Sequence, residues 1–96
     1  MCAYTPLVSV IIPTKNNEQT LTKCLLSIKQ QSYPNIEIIV IDAFSIDQTR
    51  NLGEGFGAQV MQLQSERTKA KNYGAQLAKG DYVFFVDSDM VLQPDV

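Results

Sequence analysis

Asp87-Ser88-Asp89 sets two carboxylates one residue apart, directly after the apolar run Tyr82-Val83-Phe84-Phe85-Val86. That run is short, β-branched and aromatic, so it reads as a buried strand. Ligands of open α/β sheets bind at strand C-terminal ends. Two carboxylates there can hold a divalent cation, and the cation can hold a diphosphate. Hard oxygen ligands suit Mg²⁺ or Mn²⁺, and Mg²⁺ takes only one or two protein carboxylates while keeping waters. An isolated Asp-x-Asp is more often a solvated acidic turn, so the rest of the chain has to decide between the two.

Three strand-helix units lead up to it. Val8-Ser9-Val10-Ile11-Ile12 is a nearly continuous β-branched run, buried on both faces by expectation and ended by Pro13. The loop Thr14-Lys15-Asn16-Asn17-Glu18 follows, polar and without glycine. Leu21, Cys24, Leu25 and Ile28 recur at helical spacing and predict a helix over 18–31. Tyr33-Pro34-Asn35 stops it. Ile36 to Ile41 predicts a second strand ending in Asp42. Ser45-Ile46-Asp47-Gln48 has capping-box form, with Ser45 as N-cap of a short helix reaching Leu52 or Gly53. The glycine-rich stretch 53–57 follows that helix and precedes a strand at 58–63, the reverse of a phosphate-binding fingerprint, so it reads as a flexible turn. A second amphipathic pattern over 69–79 puts Ala70, Tyr73, Gly74, Leu77 and Ala78 on one face, where small residues allow close approach to a sheet, with Gly80 as its C-cap.

The alternation predicts an α/β fold: a Rossmann-like three-layer sandwich, with helices on both faces of a mostly parallel four-stranded sheet. In such a sheet the loop 13–18, Asp42 and Asp87-Ser88-Asp89 meet on one rim. Tyr33 and the aromatics of the last strand are expected in the core.

With 96 residues the chain makes one domain, 1–96. Its hydrophobic content of 45% is ordinary for a globular protein. A net charge of −2, from 8 basic and 10 acidic residues, argues against nucleic-acid binding. The absence of histidine excludes imidazole catalysis and His-ligated metal within the chain. Cys2 and Cys24 form no Cys-x-x-Cys motif, and Cys24 on its apolar stripe reads as a small buried hydrophobe. No signal peptide or membrane-length apolar run is seen, so the chain reads as cytoplasmic and soluble, a membrane-associated parent enzyme staying open.

The segments Val8–Glu18, Ser32–Asp42, Ser45–Thr49, Ala70–Gly74, Ala78–Tyr82 and Val86–Asp89 together resemble the family 2 glycosyltransferases, in order and over nearly the whole chain. The resemblance implies a GT-A fold and a nucleotide-diphosphate sugar as donor, a UDP-sugar being favoured. Thr14 and Glu18 match the first loop of the nucleotide pocket, and Asp42 matches the aspartate that pairs with the base. Asp87 and Asp89 match the DXD motif, the first contacting ribose or the metal and the last binding the metal, Mg²⁺ or Mn²⁺. Arg67, in a cluster with Lys69 and Lys71, is the best candidate for bidentate phosphate contact. The bland alternatives are turn capping for Asp42, a helix N-terminus for Thr14 and Glu18, and a solvated helix start for Arg67. Many relatives have Asp-Asp-Gly-Ser-x-Asp after strand two, where this chain has Asp42-Ala43-Phe44-Ser45-Ile46-Asp47; Phe44 could stack on a base or pack.

Family enzymes continue well past DXD into an acceptor region that carries the catalytic base, and no residue here matches that base. The expectation is a truncated GT-A fold, the donor-binding part of a glycosyltransferase, inactive by itself and acting in the parent on an unknown acceptor, with inversion implied. Two other readings compete. A nucleotidyltransferase would want a glycine-rich basic loop after strand one, and a non-catalytic receiver or scaffold domain would want a carboxylate after a central third strand. The last strand would be left with an exposed sheet edge, through which the chain could dimerise.

Overall fold

A computed structural model describes residues 6–64 and 67–91, the side chains of Arg67 and Thr68 excepted. The order is β1 (Val8–Thr14), α1 (Glu18–Lys29), β2 (Ile36–Asp42), α2 (Thr49–Gly55), β3 (Gln59–Gln62), α3 (Arg67–Leu77) and β4 (Tyr82–Phe85). The four strands form one sheet in the order β3-β2-β1-β4, and every pairing is parallel.

Alternate residues of β1 and β2 face opposite sides, and each side has its own core. Val10, Ile12, Ile38 and Val40 pack against Leu21, Cys24, Leu25 and Ile28 of α1. Ile11, Ile39 and Ile41 pack against Ala70 of α3, with Tyr73 and Leu77 at the margin. The three layers follow from this period-two alternation meeting two helical stripes.

The small-residue face of α3 lets the helix lie close to the sheet. A Cβ built on Gly74 would overlap Ile11 Cγ2 and stand 3.4 Å from Ile41 Cγ1. Gly80 has a different role from the expected one. The helix ends at Leu77, and Gly80 is not in the left-handed region that a C-cap glycine occupies. It is required because the chain passes against β1: an added Cβ would lie 2.8 Å from both Leu7 O and Ser9 N and would overlap Ser9 Oγ. Around it Gly80 N donates to Ser9 Oγ (2.8 Å), and Asp81 N donates to Leu7 O (2.7 Å). Leu7 N donates back to Asp81 Oδ2 (2.9 Å), and Lys79 N donates to Glu37 Oε2 (2.7 Å).

Two more expectations change. Gln48, not Ser45, is the N-cap of α2, and it makes no side-chain cap bond. The Ser45 hydroxyl is drawn to Asp42 instead, a local side-chain contact that outcompetes capping. The aromatics of β4 are also not core: Tyr82, Phe84 and Phe85 are 64%, 48% and 46% exposed. The sequence pattern cannot tell a central strand from an edge strand. Among the described residues β4 is an edge, paired only with β1, while α3 packs over β1 and β2. Tyr33 is half-buried, its phenol donating to Pro6 O.

Candidate functional site

The chain leaves β1 towards β2 on one side, while β4 returns to the other side of β1. This reversal of strand order opens a crevice beyond the strand C-termini, where open α/β sheets bind ligands. The ends of β1, β2 and β4 bring Thr14, Asp42 and Asp87–Asp89 to that rim.

Thr14 and Asp42 are partners in the parallel register, so their side chains lie side by side on one face. Asp42 is 0% exposed. Its Oδ1 accepts from the hydroxyls of Thr14 (2.7 Å) and Ser45 (2.5 Å), and its Oδ2 accepts from Ser45 N (2.9 Å). Three neutral donors thus satisfy a buried carboxylate, whose burial without partners would be costly. Asp42 ties the two loops together and presents Ala43 at the rim, where Ala43 N donates to Thr14 O (2.9 Å).

A second set of bonds braces the same loops, and sequence reasoning did not single it out. Asn16 N donates to Ser45 Oγ (2.8 Å), and Ile46 N donates to Asn16 Oδ1 (2.9 Å). Asn17 N donates to Thr49 Oγ1 (2.8 Å), and Glu18 N to Asp47 Oδ2 (3.2 Å). Glu18 is exposed and accepts from Gln48 N at 3.4 Å, a long contact. Asp47 also accepts from Thr49 N (2.9 Å) and Thr49 Oγ1 (2.5 Å). Partial desolvation pushes the Asp47 carboxyl up, but the hydrogen bonds from Thr49 and Glu18 outweigh it and hold the pKa below its ordinary 3.8. The available signal was the density of Asn, Ser, Asp and Thr in two loops that a parallel sheet sets next to each other.

Beside the brace is a cavity of about 250 Å³, lined by Pro13, Thr14, Lys15, Asn17, Ala43, Leu63 and Ala70, among others. It lies between the loop after β1, the end of β2 and the first turns of α3. One wall is apolar, and the other is the polar loop.

Across β1, Val86 is 1% exposed and donates its amide to Ile11 O (3.0 Å), which anchors the chain as it leaves β4. A tight turn follows, closed by Met90 N donating to Asp87 O (2.9 Å). Ser88 points inward, Asp87 is half-buried and Asp89 is exposed. Both carboxylates act on the buried Cys24 of α1. Burial first, then Asp89 and Asp87, push that thiol up to about 11. Among the described residues no group of three or more His, Cys, Asp or Glu side chains could hold a metal ion. Two carboxylates on a solvent-facing turn nevertheless fit Mg²⁺ or Mn²⁺, which take few protein oxygens and complete their shell with water and phosphate.

The basic cluster divides. Arg67 is the first residue of α3, and its expected phosphate contact lies outside the described residues. Lys69 is exposed. Lys71 holds its ammonium 5.7 Å from the centre of the Phe85 ring, a cation–π distance.

Known proteins are similar to this chain in sequence and fold. Residues 9–96 match the model of the Glycosyl transferase family 2. The glycosyltransferase GlyG of Streptococcus pneumoniae is 36% identical over 97 residues, which cover 94% of this chain and 32% of GlyG. Among solved structures, Staphylococcus aureus TarS 1–349 in complex with UDP superimposes with a TM-score of 0.85 at 34% identity, covering 93% of this chain and 29% of TarS 1–349. The mannosyltransferase PcManGT of Pyrobaculum calidifontis, in complex with GDP-Man and Mn²⁺, gives 0.82 at 27% identity, covering 92% and 29%. The fold is that of the GT-A glycosyltransferases. The chain spans about a third of the length of GlyG and of the Rickettsia typhi glycosyltransferase RT0329, which it also matches. The family match takes in β1 through the Asp87–Asp89 turn, all the parts that build the rim, and the chain belongs to glycosyl transferase family 2.

Proposed function

We propose that this chain is the donor-binding part of a glycosyltransferase and holds a nucleotide-diphosphate sugar, a UDP-sugar by preference, together with Mg²⁺ or Mn²⁺. The observation that carries the reading is the convergence, at the point where strand order reverses, of a braced polar loop, a cavity and two carboxylates. UDP bound to TarS, and GDP-Man with Mn²⁺ bound to PcManGT, support the ligand class.

In this reading the base enters the cavity beside Ala43 and Thr14. Asp42 acts through the groups it holds, keeping Thr14 and Ser45 in place. Asp89, on the exposed side of the turn, binds the metal, and Asp87 contacts the ribose or the metal. When bound, the cation supplies charge neutralisation to the departing diphosphate. Arg67, at the start of α3, is assigned to phosphate. The receiving hydroxyl needs a base within hydrogen-bond reach, and we assign none of the residues described here to that role. The edge of β4 is a further binding surface: its unpaired backbone and exposed aromatics favour pairing with a second copy. A strictly monomeric sedimentation profile at high protein concentration would count against that pairing.

The donor site is tested by amide-shift titration of the 96-residue chain with UDP, with and without Mg²⁺, and with GDP for comparison. Metal-dependent shifts clustered at Thr14, Ala43 and Asp87–Asp89, lost in Asp89→Ala, are expected. Full-affinity binding by Asp89→Ala would remove the metal assignment. A well-dispersed spectrum without shifts would overturn donor binding by this chain.

A further inference from the structure

Phe44 is out of place by the rules that stabilise proteins. Its backbone lies in the left-handed region, at φ 51°, which is unfavourable for a side chain larger than glycine. Its ring is 55% exposed and belongs to neither core cluster. The packing alternative for this residue therefore has no support. The surrounding bonds hold it there: Phe44 N donates to Gln62 Oε1 (3.0 Å), the preceding Ala43 is bonded to Thr14, and the following Ser45 is bonded twice to Asp42. A strained backbone fixed from three sides, carrying an aromatic ring into water, is a pattern found at ligand clamps. Ala43, its neighbour, lines the 250 Å³ cavity.

We infer that Phe44 is a stacking platform for the nucleobase of the donor, and so a binding determinant distinct from the carboxylates of the rim. The inference rests on the donor-binding reading. Stacking needs only a π-face, so the platform would serve uracil or guanine; discrimination between them falls to the polar loop opposite.

The experiment compares the 96-residue chain with Phe44→Ala, Phe44→Gly and Phe44→Trp in titrations with UDP–Mg²⁺ and with pyrophosphate–Mg²⁺, which lacks a base. Loss of a base–aromatic stack corresponds to roughly 5–140-fold in affinity. Phe44→Ala and Phe44→Gly should weaken UDP by that factor and leave pyrophosphate unchanged. Phe44→Gly should also raise the melting temperature, because glycine accepts the left-handed backbone; a gain in stability with a loss of affinity separates binding from folding. Phe44→Trp puts the first tryptophan into a chain that has none, and UDP should quench its fluorescence while pyrophosphate does not. Ile46→Ala, two residues on and 93% exposed, should bind UDP like the parent. Unchanged UDP affinity in Phe44→Ala, or an equal loss in Ile46→Ala, overturns the platform while the donor site stands. A parent chain that binds neither UDP nor pyrophosphate overturns both.

Discussion

Adding one methyl group should have opposite effects at two glycines of this chain. At Gly80 the new Cβ would stand 2.8 Å from the backbone atoms Leu7 O and Ser9 N. Backbone cannot rotate away as a side chain can, so β4 must shift from β1. Overpacking of this kind costs about 1–3 kcal/mol. The shift also stretches the bonds from Gly80 N to Ser9 Oγ and from Asp81 N to Leu7 O, adding about 1 kcal/mol. Against this, alanine lowers the entropy of the unfolded chain, worth about 0.4–1 kcal/mol. The net loss is about 1–3.5 kcal/mol, or roughly 4–28 °C in melting temperature for a domain of this size. Gly55, the last residue of α2, has nothing within 4 Å of a built Cβ, and Gly55→Ala should gain about 0.5 kcal/mol. Thermal and urea unfolding followed by circular dichroism read both. A Gly80→Ala variant within about 0.5 kcal/mol of the parent, the ordinary range for a surface change, would refute the close approach of the two chain segments.

Other outcomes follow from the same geometry. Asp42→Asn turns one acceptor oxygen into a donor facing occupied partners, and should cost about 2–3 kcal/mol, read as a lower urea midpoint at unchanged slope. Asp47 has its folded pKa held below 3.8, so its contribution is present above that value and is lost as the pH falls below it; the stability difference between the parent and Asp47→Asn should close on acidification, measured by urea titrations at neutral and at low pH. Cys24, raised from 9.0 to about 11, contributes stability that is full below pH 9.0 and lost as the pH rises through 11. In a Cys2→Ser background, its alkylation by iodoacetamide at pH 8 should run at least roughly a hundredfold slower in the folded chain than in urea; equal rates would refute its burial.

The local elements were readable because β-branched runs and a 3.6-residue stripe are properties of short windows. β2 was placed at Ile36 to Ile41 and gains only Asp42. α1 starts at Glu18 as expected and stops at Lys29, two residues before the expected end. What window reading could not supply was the sheet's order. Tyr82 to Phe85 look like core because their composition is that of a buried strand, and only the order β3-β2-β1-β4 shows them to be an edge. Ser45 has the sequence of a cap but bonds to Asp42, a choice set by the loop's three-dimensional path. In the site, the residue types of the rim were legible one by one. The brace between Asn16, Ser45, Asp47 and Thr49 was not, because it exists only between loops some 30 positions apart.

The candidate metal ligands follow an edge strand of the sheet. Among the described residues β4 is paired through Tyr82–Phe85 with β1 alone and is exposed along its length, while β1 has a neighbour on each side and a largely buried sequence. Opening of β4 therefore needs far less free energy than global unfolding. Its backbone amides should exchange with solvent well before those of β1 and β2. Such an opening would scatter Asp87 and Asp89 and draw Val86 from its core, while leaving the braced loops in place. In the donor-binding reading proposed above, binding at the turn would work against that opening, so a nucleotide with its cation would act as a fastener of β4. Its signature is slower hydrogen exchange at Tyr82–Phe85, growing with ligand concentration, with little change in the rest of the sheet.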